Sequence, residues 1–190
     1  MSNPSGQLLD TVAALLVESG YEGVSVRKVA TRAGVSIGAV QHHFPTKDAM
    51  LLAAMALVSR QFRERLSRRV PEDAAPVDAL EAVVDELLGA EPEHRPASVL
   101  WLMQVARAAV DPVLAEAHAR EWRDVEQMLA YLIAGSRPEQ AESWSRDQAA
   151  ALLAMLDGLA TAVLLEPDRM PPSRARALVG THLAELLRAS

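Results

Sequence analysis

The 190-residue chain contains no cysteine, which excludes disulfides and thiolate zinc sites and fits a reducing cytoplasm. Its first ten residues, MSNPSGQLLD, carry no basic segment ahead of an apolar run, so no signal peptide is expected. No stretch sustains the apolar–polar alternation of a β-strand. The five histidines (His42, His43, His94, His118 and His182) have neither H-E-x-x-H nor any comparable ligand spacing, and there is no glycine-rich phosphate loop. No catalytic residue, metal site or cofactor is therefore expected. One apolar run, Ala149 to Leu165, invites a membrane reading. It is shorter than the roughly 20 residues a bilayer needs, and it carries Asp157 centrally, at about 2.5–3.5 kcal/mol on insertion scales. A helix wrapped by protein on all sides explains it better.

What the chain has is helical pattern and segregated charge. Half of its residues are hydrophobic, and its prolines fall at the joints between periodic segments. The first helix is expected from about Pro4 to Glu18, stopped by Ser19-Gly20. Further helices are expected over about 47–70, 76–89, 96–109, 112–134, 139–166 and 172–188. The net charge of −6 hides an asymmetry: residues 1–70 hold nine Lys/Arg against five Asp/Glu, and residues 71–190 hold ten against twenty. A basic end on an acidic body is what a protein meeting DNA at one end would show. Five arginines at the end of the 47–70 helix (Arg60, Arg63, Arg65, Arg68 and Arg69) compete for that role. Cations suit a helix C-terminus, and this end lies about 30 Å from Lys47, so they read as a solvated face.

The most informative stretch is SVRKVATRAGVSIGAVQHHFPTK, Ser25 to Lys47. Val26, Val29, Ala30 and Ala33 recur at helical spacing behind Ser25, a good N-cap. Gly34 supplies a left-handed residue to end that helix, Val35 plugs the angle, and Ser36 caps a second helix from Ile37 to His43. Val40 and Phe44 face inward there, leaving Gly38, Ala39, Gln41 and His42 outward. Arg27, Lys28 and Lys47 stand in first turns, where cations oppose the helix dipole by a few tenths to about 1 kcal/mol each. Phosphate oxygens would supply the missing counter-charge, and such breaches of local rules are expected at functional surfaces. The same stretch spells G-x-S-x-G, Gly34 to Gly38, the pattern of a hydrolase nucleophile elbow. That motif needs a strand feeding the turn, and the preceding VRKVATRA is helical in period.

These residues resemble the DNA-binding domain of the TetR family of bacterial transcriptional regulators. The resemblance runs from Leu15 to Ala30 and on through AGVSIGAVQHHFPTKDAML to Leu51. Gln41 and His42 stand where family members often carry two tyrosines. The resemblance implies an all-α protein of about nine helices, with a helix-turn-helix domain over 1–46 and a ligand-binding and dimerisation domain over 47–190. It implies a cytoplasmic homodimer, a repressor that binds a palindromic double-stranded operator and is released by a small-molecule effector. The DNA-binding residues would be Ser25, Arg27, Lys28, Ser36, Ile37, Gly38, Ala39, Gln41, His42, His43 and Lys47. A helical ligand- or protein-binding module without DNA binding is the alternative.

In the body, the middle helices concentrate large adaptable groups: Trp101, Met103, Gln104, Arg107, Trp122, Met128, Tyr131 and Met155. Aromatics and methionines with a few polar groups are what a mostly apolar ligand pocket needs. The last two helices carry more apolar surface than one subunit is expected to cover, which points to subunit pairing. The residues expected at that interface are Leu152, Leu156, Leu159, Val163, Leu178, Val179, His182, Leu183 and Leu186.

Overall fold

The computed structural model describes residues 4–188 and, among them, nine α-helices, a single 3₁₀ turn and no strand. The helices are α1 (Pro4–Gly23), α2 (Val26–Ala33), α3 (Ile37–His43), α4 (Lys47–Arg69), α5 (Pro76–Leu88), α6 (Arg95–Ala108), α7 (Pro112–Ser136), α8 (Glu142–Leu165) and α9 (Pro172–Leu186); the 3₁₀ turn is Pro92–His94. The fold is all-α, as expected. Proline opens α5, α7 and α9, where a missing N–H costs nothing. The first helix outruns its expected end at Glu18. Gly20 breaks it with φ 68° and ψ 175°, and one more turn reaches Gly23.

The chain packs as two compact units. One comprises the described residues up to Gln61 with Val99–His118; the other comprises Phe62–Ser98 with the described residues from Ala119 onward. In the first unit, Leu8, Val12 and Leu16 of α1 meet Val29 of α2, Val40 of α3 and Met50, Leu51 and Ala54 of α4. Three short helices make too small a core alone. The first half of α4 supplements it, together with Leu100 of α6 and Leu114 of α7, two residues beyond the expected contributors.

The second unit is built on Leu80, Val83, Val84 and Leu88 of α5, Leu129 and Ile133 of α7, Leu152, Leu153 and Leu156 of α8, and Val179 and Leu183 of α9. Its α7 runs so close to α5 that a Cβ on Gly135 would lie 2.9 Å from the Pro76 ring. Three expectations need correcting here. The arginines ending α4 are not simply solvated: Arg65 Nε donates to the buried Glu86 carboxylate at 2.7 Å, and Arg69 pairs with Asp85 at 2.7 Å. Most of the leucines expected at a subunit interface are buried in the chain's own core, namely Leu152, Leu156, Leu159, Leu183 and Leu186, with Val179. Only Leu178 among the nine is exposed, while Val163 and His182 are half-buried. Apolar period alone cannot tell a subunit's own core from a partner's surface. Finally, α8 is not wrapped on all sides. By length and composition it could cross a membrane, and only 33% of its apolar window is buried within the chain.

Candidate nucleic-acid interface

The turn between α2 and α3 is built as the local chemistry requires. Ser25 Oγ accepts from the Lys28 N–H at 3.2 Å, and Ser36 Oγ accepts from the Ala39 N–H at 3.1 Å. Gly34 ends α2 at φ 68° and ψ 30°, a left-handed conformation that favours glycine. Thr46 Oγ1 accepts from the Ala49 N–H and so caps α4. Ser36 therefore sits between two helices and spends its hydroxyl on a cap, which removes the strand-fed elbow geometry. Val35 does not plug the turn; it is 42% exposed.

With Val40 and Phe44 buried beneath it, α3 turns its other side outward. Ile37, Gly38, Gln41, His42 and His43 are exposed there, and Arg27 is exposed on α2; Ala39 is half-buried. A Cβ on Gly38 would approach only Ser36 Oγ, at 3.9 Å, so packing within the domain does not require a glycine there. The rings of His42 and His43 stack edge to face, 5.5 Å apart. A small, exposed two-turn helix with an amide, two imidazoles and a nearby guanidinium suits reading base edges and phosphates.

Lys28 and Lys47 have partners that sequence reasoning missed. Lys28 Nζ donates to the Gly23 carbonyl at 2.7 Å, and Lys47 Nζ to the Glu22 carbonyl at 3.3 Å. Both carbonyls end α1, whose last turn has no basic residue of its own. Each lysine opposes its own helix dipole but closes the negative end of a neighbouring one. Lys47 also lies 3.5 Å from the Glu22 carboxylate and 5.2 Å from the Tyr21 ring centre. Across α1 and α2, Arg32 makes a bidentate pair with Glu18, whose carboxyl is held below its usual range by that hydrogen bond. The missing basic residue in the last turn of α1 was the legible signal for these partnerships.

The residues expected to line a ligand pocket divide equally between the two units. In the first, Trp101 and Met103 pack on its core, Gln104 is buried with no partner for Oε1 among the described residues, and Arg107 pairs with Asp48. In the second, Trp122 Nε1 donates to Asp157 Oδ2 at 2.9 Å, and Met128 and Met155 lie against the core. Tyr131 is 78% exposed.

Family models match two stretches of the chain, the second of which spans residues of both units. Residues 8–54 match the family model described as bacterial regulatory proteins, tetR family. Residues 76–188 match the one described as BetI-type transcriptional repressor, C-terminal. The HTH-type transcriptional regulator PksA of Bacillus subtilis (strain 168) is 27% identical over 182 residues, spanning 95% of this chain and 88% of PksA. A transcriptional regulator from Rhodococcus sp. Rha1 has a solved structure with a TM-score of 0.82 at 34% identity, covering 98% of this chain and 96% of that one. A putative transcriptional regulator from Saccharomonospora viridis, solved in complex with choline, shares the fold at a TM-score of 0.84 and 20% identity, covering 94% of each chain. Capped turn, exposed α3 and family match agree: the chain belongs to the TetR family of bacterial transcriptional regulators and carries that family's helix-turn-helix.

Proposed function

We propose that the protein is a cytoplasmic, homodimeric repressor that places α3 in the major groove of each half of a palindromic operator. The observation that carries this is the outward side of α3, where Gly38, Gln41, His42 and His43 stand exposed on a helix whose start is capped by Ser36. Gln41 pairs its side-chain amide with adenine N6 and N7, a contact worth about 1–3 kcal/mol against the wrong base. Arg27, Lys28 and Lys47 serve phosphates, and the amides behind Ser25 and Ser36 lie at helix N-termini that favour anions.

Pairing uses the outer sides of α8 and α9 rather than their buried leucines. Ala151, Ala154, Gly158 and Leu165 are exposed on α8, as are Ala177, Leu178, Gly180, Thr181 and Ala184 on α9. Cβ atoms on Gly158 and Gly180 would meet nothing within 4 Å in the chain itself. A second copy approaching closely along these small residues gives the glycines a reason and covers the exposed side of α8.

A small molecule bound in the body would release the operator by changing the spacing of the two heads. An organic cation is the first class to try: a related fold holds choline, and here an indole and a carboxylate meet at Trp122 and Asp157. Selection of bound duplexes from random DNA tests the whole reading. It should return an inverted repeat whose half-sites lie about 10 base pairs, or a multiple of that, apart. No enrichment would instead favour a helical binding module without DNA affinity.

A further inference from the structure

A cluster of charged and aromatic side chains lies behind the interface, and DNA contact alone does not explain it. The Tyr21 hydroxyl donates to Asp48 Oδ1 at 2.6 Å. Arg107 Nη2, from the last turn of α6, donates to the same oxygen at 3.3 Å and lies 3.7 Å from Asp111 Oδ2. The Arg107 guanidinium carbon is 4.8 Å from the Tyr21 ring centre, and Lys47 Nζ is 5.2 Å from it. Burial and the Asp48 carboxylate push the Tyr21 hydroxyl up to about 12, so it stays a donor throughout the physiological range. Arg107 Nε is buried without an acceptor among the described residues.

We propose that Arg107 is a positioning residue for DNA binding: by holding the Tyr21–Asp48 pair, it fixes the first turn of α4 and with it the Lys47 ammonium. The inference rests on the DNA-binding reading above. Asp48 directly follows Lys47, so the two hydrogen bonds it accepts pin the backbone that aims the lysine. Tyr21 offers the ring over which the ammonium lies, two residues before the Gly23 carbonyl that holds Lys28. Two of the cations facing phosphate are thus set by the end of α1, and Arg107 joins α6 to that end.

A double-mutant cycle in the full-length protein, read as affinity for random-sequence duplex DNA across a salt series, tests this. Lys47→Ala should lower affinity and flatten the salt slope by about one unit. Arg107→Met should lower affinity by at least about fivefold and flatten the slope by the same single unit, as expected for two sites coupled through one element. The double variant should be no worse than either single one. Tyr21→Phe, which keeps every charge and the ring, should lower affinity in the same direction and guards against a mere folding defect in Arg107→Met. Additive losses, or a slope reduced by two units in the double variant, would mean that Arg107 meets phosphate itself, and the positioning role would fall. Full affinity in Tyr21→Phe would also overturn it. A wild-type protein without affinity for DNA would instead defeat the interface, and this inference with it.

Discussion

Three cations close helix ends that have no basic residue of their own: Lys28 and Lys47 at the end of α1, and Arg137 at the end of α9. The third shows most directly what such a group contributes. Arg137 is buried, donates through Nη1 to the Leu186 carbonyl at 2.7 Å and to the Arg188 carbonyl, and lies 5.5 Å from the Trp144 ring. Its Nε is held by Glu139, whose carboxyl it keeps below the usual range. Met has similar length and no donors, so Arg137→Met leaves the orphan carbonyls of α9 unmet and should cost about 2–3 kcal/mol. Urea unfolding would measure the loss, and hydrogen exchange should locate it in the last turn of α9. A variant as stable as wild type, with unchanged exchange there, would show that water serves those carbonyls equally well. None of this was legible in the sequence, because Arg137 and Leu186 lie far apart along it and nothing local marks either as the other's partner.

At the scale of elements, α3 was the most legible part of the molecule. Its serine cap, the glycine that stops α2 just before it and its two inward residues depend on neighbours within a few positions, which sequence spacing fixes. Val35 misled for the opposite reason: an apolar residue after a glycine reads as a plug, yet here its side chain is left exposed. The leucines of α8 and α9 were legible as apolar stripes, but their destination was not, since one stripe serves a core or a partner equally. On α3 the glycine now carries a sharper expectation than sequence allowed. Room beside Gly38 means that Gly38→Ala should fit and should stabilise the helix by about 0.5–1 kcal/mol through lost backbone freedom in the unfolded chain. Gly38→Leu should fit the isolated domain as well, and should leave the melting temperature within a few degrees. If the groove needs close approach, that variant nevertheless loses operator binding. Native affinity in a folded Gly38→Leu protein would show that the small residue has no such role.

At the scale of the whole molecule, the question is what covers the outer sides of α8 and α9. The buried leucines cannot answer it. Leu183 is 7% exposed within the chain, so Leu183→Glu puts a carboxylate into the core and should simply unfold the second unit. Ala154 is the better probe, because it is exposed on α8 among small residues and its side chain is not part of either core. A glutamate there meets water in an isolated subunit but apolar surface in a pair, and obligate pairs usually bury about 2,000 Å² or more of surface in total. Ala154→Glu should therefore stay folded, with a melting transition close to that of a subunit alone, and sediment as a monomer. It should also lose tight operator binding by about a hundredfold or more, because one head can no longer raise the effective concentration of the other. The two effects should appear together, although Ala154 lies more than a hundred residues after the helix-turn-helix. A variant that remained dimeric would move the pairing surface elsewhere, and a monomer with full operator affinity would remove pairing from the mechanism.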